Sequence, residues 1–107
     1  MWTVEFLNGR IQRELEALPP DIVASFLRIA KLIEIGGPAG VHEPYVKHLE
    51  GPIWEIRMRG RDGIARAAYV TVARRNAVVV VHVFRKKTQK TPRREIEIAL
   101  KRARDLQ

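Results

Sequence analysis

The spacing of apolar positions changes period several times along this chain. Trp2, Val4 and Phe6 alternate with Thr3 and Glu5, which predicts a short strand over 2–6. Asn8-Gly9 is a turn signal. Ile11, Leu15 and Leu18 then recur at i, i+4 and i+7, giving a helix over 10–18 that Pro19-Pro20 ends. A second helix starts at Pro20 or Asp21 and runs to about Ile35. Its stripe of Ile22, Phe26, Ile29 and Ile33 is widened by Val23, Leu27 and Ala30, and Gly36-Gly37-Pro38 stops it. Two helices so closely joined read as an antiparallel hairpin. Residues 39–52 read as a loop. In the strand over 53–59, Trp54, Ile56 and Met58 form a core face, and Glu55, Arg57 and Arg59 a charged one. Gly60-Arg61-Asp62-Gly63 is a hairpin turn, followed by a strand over 65–72 and a turn at Arg74-Arg75-Asn76. The run 77–84 is apolar on both faces except at His82, so it is a central strand covered on both sides. Thr91 as N-cap and Pro92 at N1 open a last helix to about Asp105, with Ile96, Leu100 (or Ala99) and Ala103 inward. The predicted order is β-α-α-β-β-β-α. It describes an α+β fold, a helical hairpin on a small, mainly antiparallel sheet with a C-terminal helix.

At 107 residues, 46% of them hydrophobic, the chain is long enough for one domain over 1–107 with its own core. The absence of cysteine removes disulfides, thiolate metal sites and a cysteine nucleophile, and fits a cytoplasmic location. The first residues do not read as a signal peptide, and the longest apolar run, 77–81, is too short to cross a bilayer, so no membrane association is expected. Charge changes the picture more. The net +8 is confined to one half: residues 57–107 hold 15 Lys/Arg against 4 Asp/Glu, whereas residues 1–56 hold 5 against 8. A field so one-sided suits a polyanion, because neutralising phosphates releases counterions.

Candidate chemistry is sparse. CxxC, HExxH, the Walker loop and GxGxxG are all missing, and His42, His48 and His82 have no ligand spacing, so no metal is expected. His82, among valines, reads as a core-edge histidine bonded to backbone. His48 sits in the presumed loop, within possible reach of a substrate. Ser25, the one serine, lies on a helix and is unsuited to nucleophilic attack. Arginine and lysine remain. Arg57 and Arg59 share a strand face, Arg66 begins the partner strand across the hairpin, and Lys86 and Lys87 leave the central strand nearby. Convergent cations of this kind either hold a phosphate or stabilise the charge that develops when a phosphodiester is cleaved. Composition does not separate the two. Tyr69 reads as open enough to stack on a base, and Trp54 as facing the core.

These residues carry a family resemblance. Lys47-His48-Leu49-Glu50-Gly51, Ile53-Trp54-Glu55-Ile56-Arg57, Gly63-x-x-Arg66-x-x-Tyr69, His82-Val83-Phe84-Arg85-Lys86-Lys87-Thr88-Gln89-Lys90-Thr91-Pro92 and Glu95-Ile96-x-x-Ala99 together resemble the phage-derived, HigB-like branch of the RelE/ParE toxin superfamily. The match spans nearly the whole chain, and the string that ends Lys-Thr-Pro before the last helix is its most specific part.

The resemblance implies a type II toxin that cuts translated mRNA in the ribosomal A site, the 2′-hydroxyl attacking the adjacent phosphate without a metal or other cofactor. It implies catalytic roles for Arg57 and Arg66 in charge stabilisation, and for Lys86 or Lys87 in holding phosphate or protonating the leaving oxygen. Lys47, Arg59, Arg61, Tyr69, Arg85 and Lys90 are the expected RNA contacts. Glu55 departs from the pattern, since relatives carry lysine two residues before Arg57, and the last helix lacks their tyrosine. The general base is therefore unassigned. The implied partners are the ribosome, mRNA and a cognate antitoxin of helix-turn-helix type, through which alone promoter DNA would be reached. The 77–84 strand and the Ile96–Ala103 stripe are expected antitoxin docking surfaces. The competing class is a non-catalytic basic binder, such as a ParE-like gyrase inhibitor or an inactive nucleic-acid module. The basic cluster favours the nuclease and Glu55 the binder.

Overall fold

A computed structural model describes residues 1–88 and 90–106 of the chain. Its elements are β1 (Thr3–Phe6), α1 (Gly9–Glu16), α2 (Pro20–Gly36), β2 (Val46–Glu50), β3 (Ile53–Gly60), β4 (Gly63–Val72), β5 (Ala77–Lys86) and α3 (Arg93–Arg104), with 3₁₀ turns at Pro38–Gly40 and Ala73–Arg75. The strands form a sheet in the order β1-β5-β4-β3-β2. Neighbours from β2 to β5 pair antiparallel, and β1 joins β5 in parallel. The α+β arrangement expected from the pattern is the observed one.

One element was not legible. The presumed loop contains β2, whose Val46, Lys47 and His48 pair with Ile56, Glu55 and Trp54. Five residues at a sheet edge with three charged or polar members carry too little alternation to show as a strand, and only the partner strand defines them. His48 is therefore a strand residue.

The sheet is covered on both faces, as the doubly apolar β5 requires. On one side α1 and α2 pack Ile11, Leu15, Ile22, Phe26, Ile29 and Ile33 against Ile56, Met58, Ala67, Tyr69, Val78 and Val80. On the other, Ala99 and Ala103 of α3 lie on Ile53, Ala68, Val70, Val79 and Val81. The 77–84 strand and the inner stripe of α3 are thus spent on the core and are not open docking surfaces. Asn8 caps α1, its Oδ1 accepting from the Ile11 N–H at 3.0 Å. α3 starts one residue later than the pattern suggested, with Pro92 as N-cap and no side-chain cap. Thr91 is used elsewhere.

The register of β4 against β5 slips between Ala68 and Tyr69. Ala68 pairs with His82 but Tyr69 with Val80, so Val81 is an extra, unmatched residue. This bulge lets Val79 and Val81 face α3 and then turns His82, Phe84 and Lys86 to that same side.

A candidate phosphate-binding site around a buried glutamate

Residues directly opposite in an antiparallel pair share a face. Arg57 pairs with Arg66, Lys47 with Glu55, Arg66 with Phe84 and Ile64 with Lys86. Beyond the end of α3, the sheet therefore presents Lys47, Glu55, Arg57, Arg59, Arg66 and Lys86 on one face. Glu55 is at the centre, only 1% exposed, not on a solvated charged face as alternation implied.

Its burial is compensated on both oxygens. Glu55 Oε1 accepts from the Thr91 hydroxyl at 2.8 Å, and Thr91 Oγ1 in turn accepts from Lys86 Nζ at 3.2 Å. Glu55 Oε2 lies 3.4 Å from Arg66 Nε and 3.9 Å from Arg57 Nε. Arg66, also 1% exposed, donates from Nη1 to the Ala65 carbonyl at 3.1 Å, while its Nε has no well-directed acceptor and relies on the ion pair. Burial pulls the Arg66 pKa down. Glu55 opposes this, and Arg57 and Arg59 add to it. Burial likewise lowers Lys86, with Arg66 reinforcing the shift, Glu55 opposing it, and Arg57 and Lys47 adding more. An ammonium made more acidic in this way is a better proton donor near neutral pH.

Of the cations expected to converge, Arg57, Arg59, Arg66 and Lys86 do so, and Lys47, expected only as an RNA contact, joins them. Lys87 follows the end of β5 as an exposed residue, and Lys90 lies exposed before α3. Gln89 of the basic string lies outside the described residues. Two expected RNA contacts are elsewhere. Arg85 pairs with Ala65, which belongs to the helix-covered core, so its side chain is on the opposite face of the sheet. Arg61 is at the hairpin tip, where its N–H donates to Asp21 Oδ2 of α2 at 2.5 Å.

The two aromatic assignments reverse. Tyr69 is 1% exposed in the helix-side core, where burial raises its phenol to about 12, so it is closed to a base. Trp54 is 39% exposed, because β3 outruns the helical cover at this end, and its ring lies 5.0 Å from that of His48. His82 is bonded to side chains as well as buried. Its Nδ1 accepts from Arg102 at 3.2 Å, which leaves Nε2–H to donate to Glu95 Oε1 at 2.7 Å. Arg102 also donates to the Val81 carbonyl at 2.9 Å, tying α3 to the bulge.

Pattern reading missed Glu55 and Thr91 as one unit. The available signal was a glutamate between two core residues on the strand opposite Arg66. The pairing of His82 with Glu95 and Arg102 left no mark beyond a histidine among valines.

The profile of the family described as "Phage derived protein Gp49-like (DUF891)" matches residues 13–104. Curated proteins give no match. Among solved structures, the chain is similar to one in the archaeal RelE–RelB complex from Pyrococcus horikoshii OT3, at TM-score 0.56 and 20% identity over 78% of this chain and 93% of that one. It is also similar to one in the toxin–antitoxin complex RelBE2 from Mycobacterium tuberculosis, at TM-score 0.56 and 24% identity over 79% and 98%. At such identities the likeness is one of fold.

Proposed function

We propose that this chain, which belongs to the phage-derived Gp49-like family and shares the fold of the chains it matches in RelE complexes, is the toxin of a type II toxin–antitoxin system. In this reading it is a ribosome-dependent endoribonuclease, HigB-like, acting in the cytoplasm on translated mRNA and neutralised by a cognate antitoxin. The observation that carries the reading is the convergence of Lys47, Arg57, Arg59, Arg66 and Lys86 on one face around Glu55.

The chemistry follows from the exposure of each group. Arg57 is partly exposed and reaches the scissile phosphate, where its guanidinium spans two of the phosphorane oxygens. Arg66 and Glu55 are buried and act one layer back. Glu55 holds Arg57 from behind, and Arg66 pairs with the same carboxylate oxygen. Lys86, made more acidic by burial, donates a proton to the leaving 5′-oxygen, with Lys87 binding the adjacent phosphate. The 2′-hydroxyl attacks phosphorus, the P–O5′ bond breaks, and the products are a 2′,3′-cyclic phosphate and a 5′-hydroxyl. Lys47, Arg59 and Lys90 flank this track and hold RNA phosphates. The general base has no candidate among the described groups of this face, which fits a reaction in which rRNA completes the geometry.

Induction of the chain without its antitoxin, followed by mapping of mRNA 5′ ends, tests the reading. Cuts within translated frames are expected for the native chain. They are expected to fall by about 10²-fold or more for Arg57→Ala and for Lys86→Ala/Lys87→Ala. Arrest with intact mRNA, or cuts unchanged in both variants, sinks it. One observation favours a second reading. Arg66 is withdrawn into an ion pair with Glu55 where relatives hold a lysine, which suits a non-catalytic binder such as a gyrase inhibitor. That function would give DNA damage in place of mRNA cuts.

A further inference from the structure

Beside the basic face, at the β2 edge of the sheet, is a cavity of about 860 Å³ bounded by Val41, His42, Val46, His48, Trp54 and Thr71, with Lys47 at its margin. It lies on the helix side of β2 and β3, because Val46 pairs with Ile56 and His48 with Trp54, and Val46 and Ile56 belong to the helix-side core. The phosphate site is on the reverse face of the same two strands, where Lys47 pairs with Glu55. β2 ends the strand order, so a chain of nucleotides can pass from one face to the other around a single edge strand.

We infer that this cavity takes one unpaired nucleobase of the RNA strand whose phosphates lie on the basic face. The inference rests on that reading of the basic face and adds the base contact it lacks. Three observations carry it. Trp54 offers an indole that is 39% exposed, on a fold where the other candidate aromatic, Tyr69, is closed. The tilted His48 ring packs directly beside it, with 5.0 Å between ring centroids, and extends the aromatic surface. His48 Nε2 donates to the Gly51 carbonyl at 2.8 Å, which leaves Nδ1 as the ring nitrogen available to meet a base. Lys47 joins the two sites. It borders the cavity and also contributes to lowering the pKa of Lys86, so a phosphate it neutralises lies between the base and the scissile position. A base stacks on a flat aromatic wall regardless of its identity, whereas a free phosphate has no use for one.

The test is fluorescence-detected binding at low salt of a short oligoadenylate and of an abasic oligomer of the same length. It uses the full chain with Trp2→Phe, so that Trp54 is the sole indole. Oligoadenylate is expected to quench the emission, and the abasic oligomer is not. Trp54→Ala is expected to weaken oligoadenylate binding about 5- to 100-fold while leaving abasic binding within 2-fold, and Trp54→Phe to restore most of the loss. Equal loss on both oligomers, no quench, or no loss overturns the inference. So does a Trp54→Ala effect confined to antitoxin binding, which would make the cavity a protein-docking pocket. The mapping of mRNA ends fails or succeeds separately. Cuts by the native chain with base-independent binding sink the cavity inference alone, and base-dependent binding without cuts sinks the nuclease alone.

Discussion

Glu55 and Arg66 are both buried, and the cost of removing either charge from water is met by the other together with Thr91 and the Ala65 carbonyl. Removing one partner leaves the other uncompensated. Glu55→Leu is expected to destabilise the chain by about 3–5 kcal/mol. Glu55→Leu combined with Arg66→Met is expected to be more stable than Glu55→Leu alone, which urea unfolding of the two variants checks. Lys86 carries a different signature. Because its pKa is lowered in the folded state, protonated Lys86 destabilises the fold below that lowered value. The penalty is relieved as pH rises from there toward the ordinary 10.5, since the unfolded state then holds the extra proton. Stability is therefore expected to rise with pH across that window, and the rise to be reduced in Lys86→Met. Unfolding midpoints measured from neutral pH to pH 10 test this, and an unchanged slope counts against a buried, acidified lysine. If Lys86 is also the acid of the reaction, cleavage falls as pH climbs through the same lowered value.

At the scale of elements, the bulge at Val81 decides which side chains reach the basic face. Without it, the alternation that seats Val79 and Val81 under α3 would send His82, Phe84 and Lys86 into the helix-side core. Deletion of Val81 is expected to abolish folding or, where protein is recovered, to abolish RNA binding. Circular dichroism and a filter-binding measurement distinguish the two, and a folded deletion variant that still binds RNA refutes this account. The β3–β4 hairpin is placed by a close approach instead. A Cβ on Gly60 would come within 2.5 Å of Ile22 Cγ1 and 2.7 Å of Asp21 Oδ1. Gly60→Ala is expected to cost about 1–3 kcal/mol by pushing the hairpin off α2, readable as a lowered thermal midpoint. Asp21 fixes the same contact electrostatically. The bond from the Arg61 N–H holds its pKa below 3.8, so that contribution is present above 3.8 and is lost as pH falls through the lowered value.

Over the whole molecule, the helical hairpin and α3 clamp opposite faces of the sheet, and the basic groups gather where the α3 cover ends. On the proposed function, RNA binding to such a surface is driven chiefly by displacing counterions. The logarithm of the affinity for single-stranded RNA is expected to fall linearly with the logarithm of salt concentration. Lys47→Ala and Arg59→Ala are each expected to reduce the slope by roughly 0.7, one phosphate contact apiece. Arg85→Ala, on the other face, is expected to leave the slope unchanged. A slope that drops as much for Arg85→Ala as for Arg59→Ala would mean that the whole basic half binds RNA without a defined track.

The sequence by itself determined the helices, the β3–β4–β5 meander, the covered central strand and the α+β class, because each rests on a periodicity long enough to read or on a glycine or proline that punctuates it. It also brought Arg66 near Arg57 and Arg59 across a tight hairpin, and the structure set the register that pairs Arg66 with Arg57. What it left to the tertiary structure depends on partners distant along the chain. The β2 strand exists by pairing with β3, and Glu55 is tolerable in the interior only because Arg66 and Thr91 meet it there. Trp54 and Tyr69 occupy facing positions on one side of the sheet, and only the extent of the helical cover buries one and opens the other. The bulge at Val81 inverts the expected alternation midway through a run of valines in which no residue marks the change. Pattern fixes which face a strand residue points to, but the depth of that face, and the charges that gather on it, are set by what packs above it.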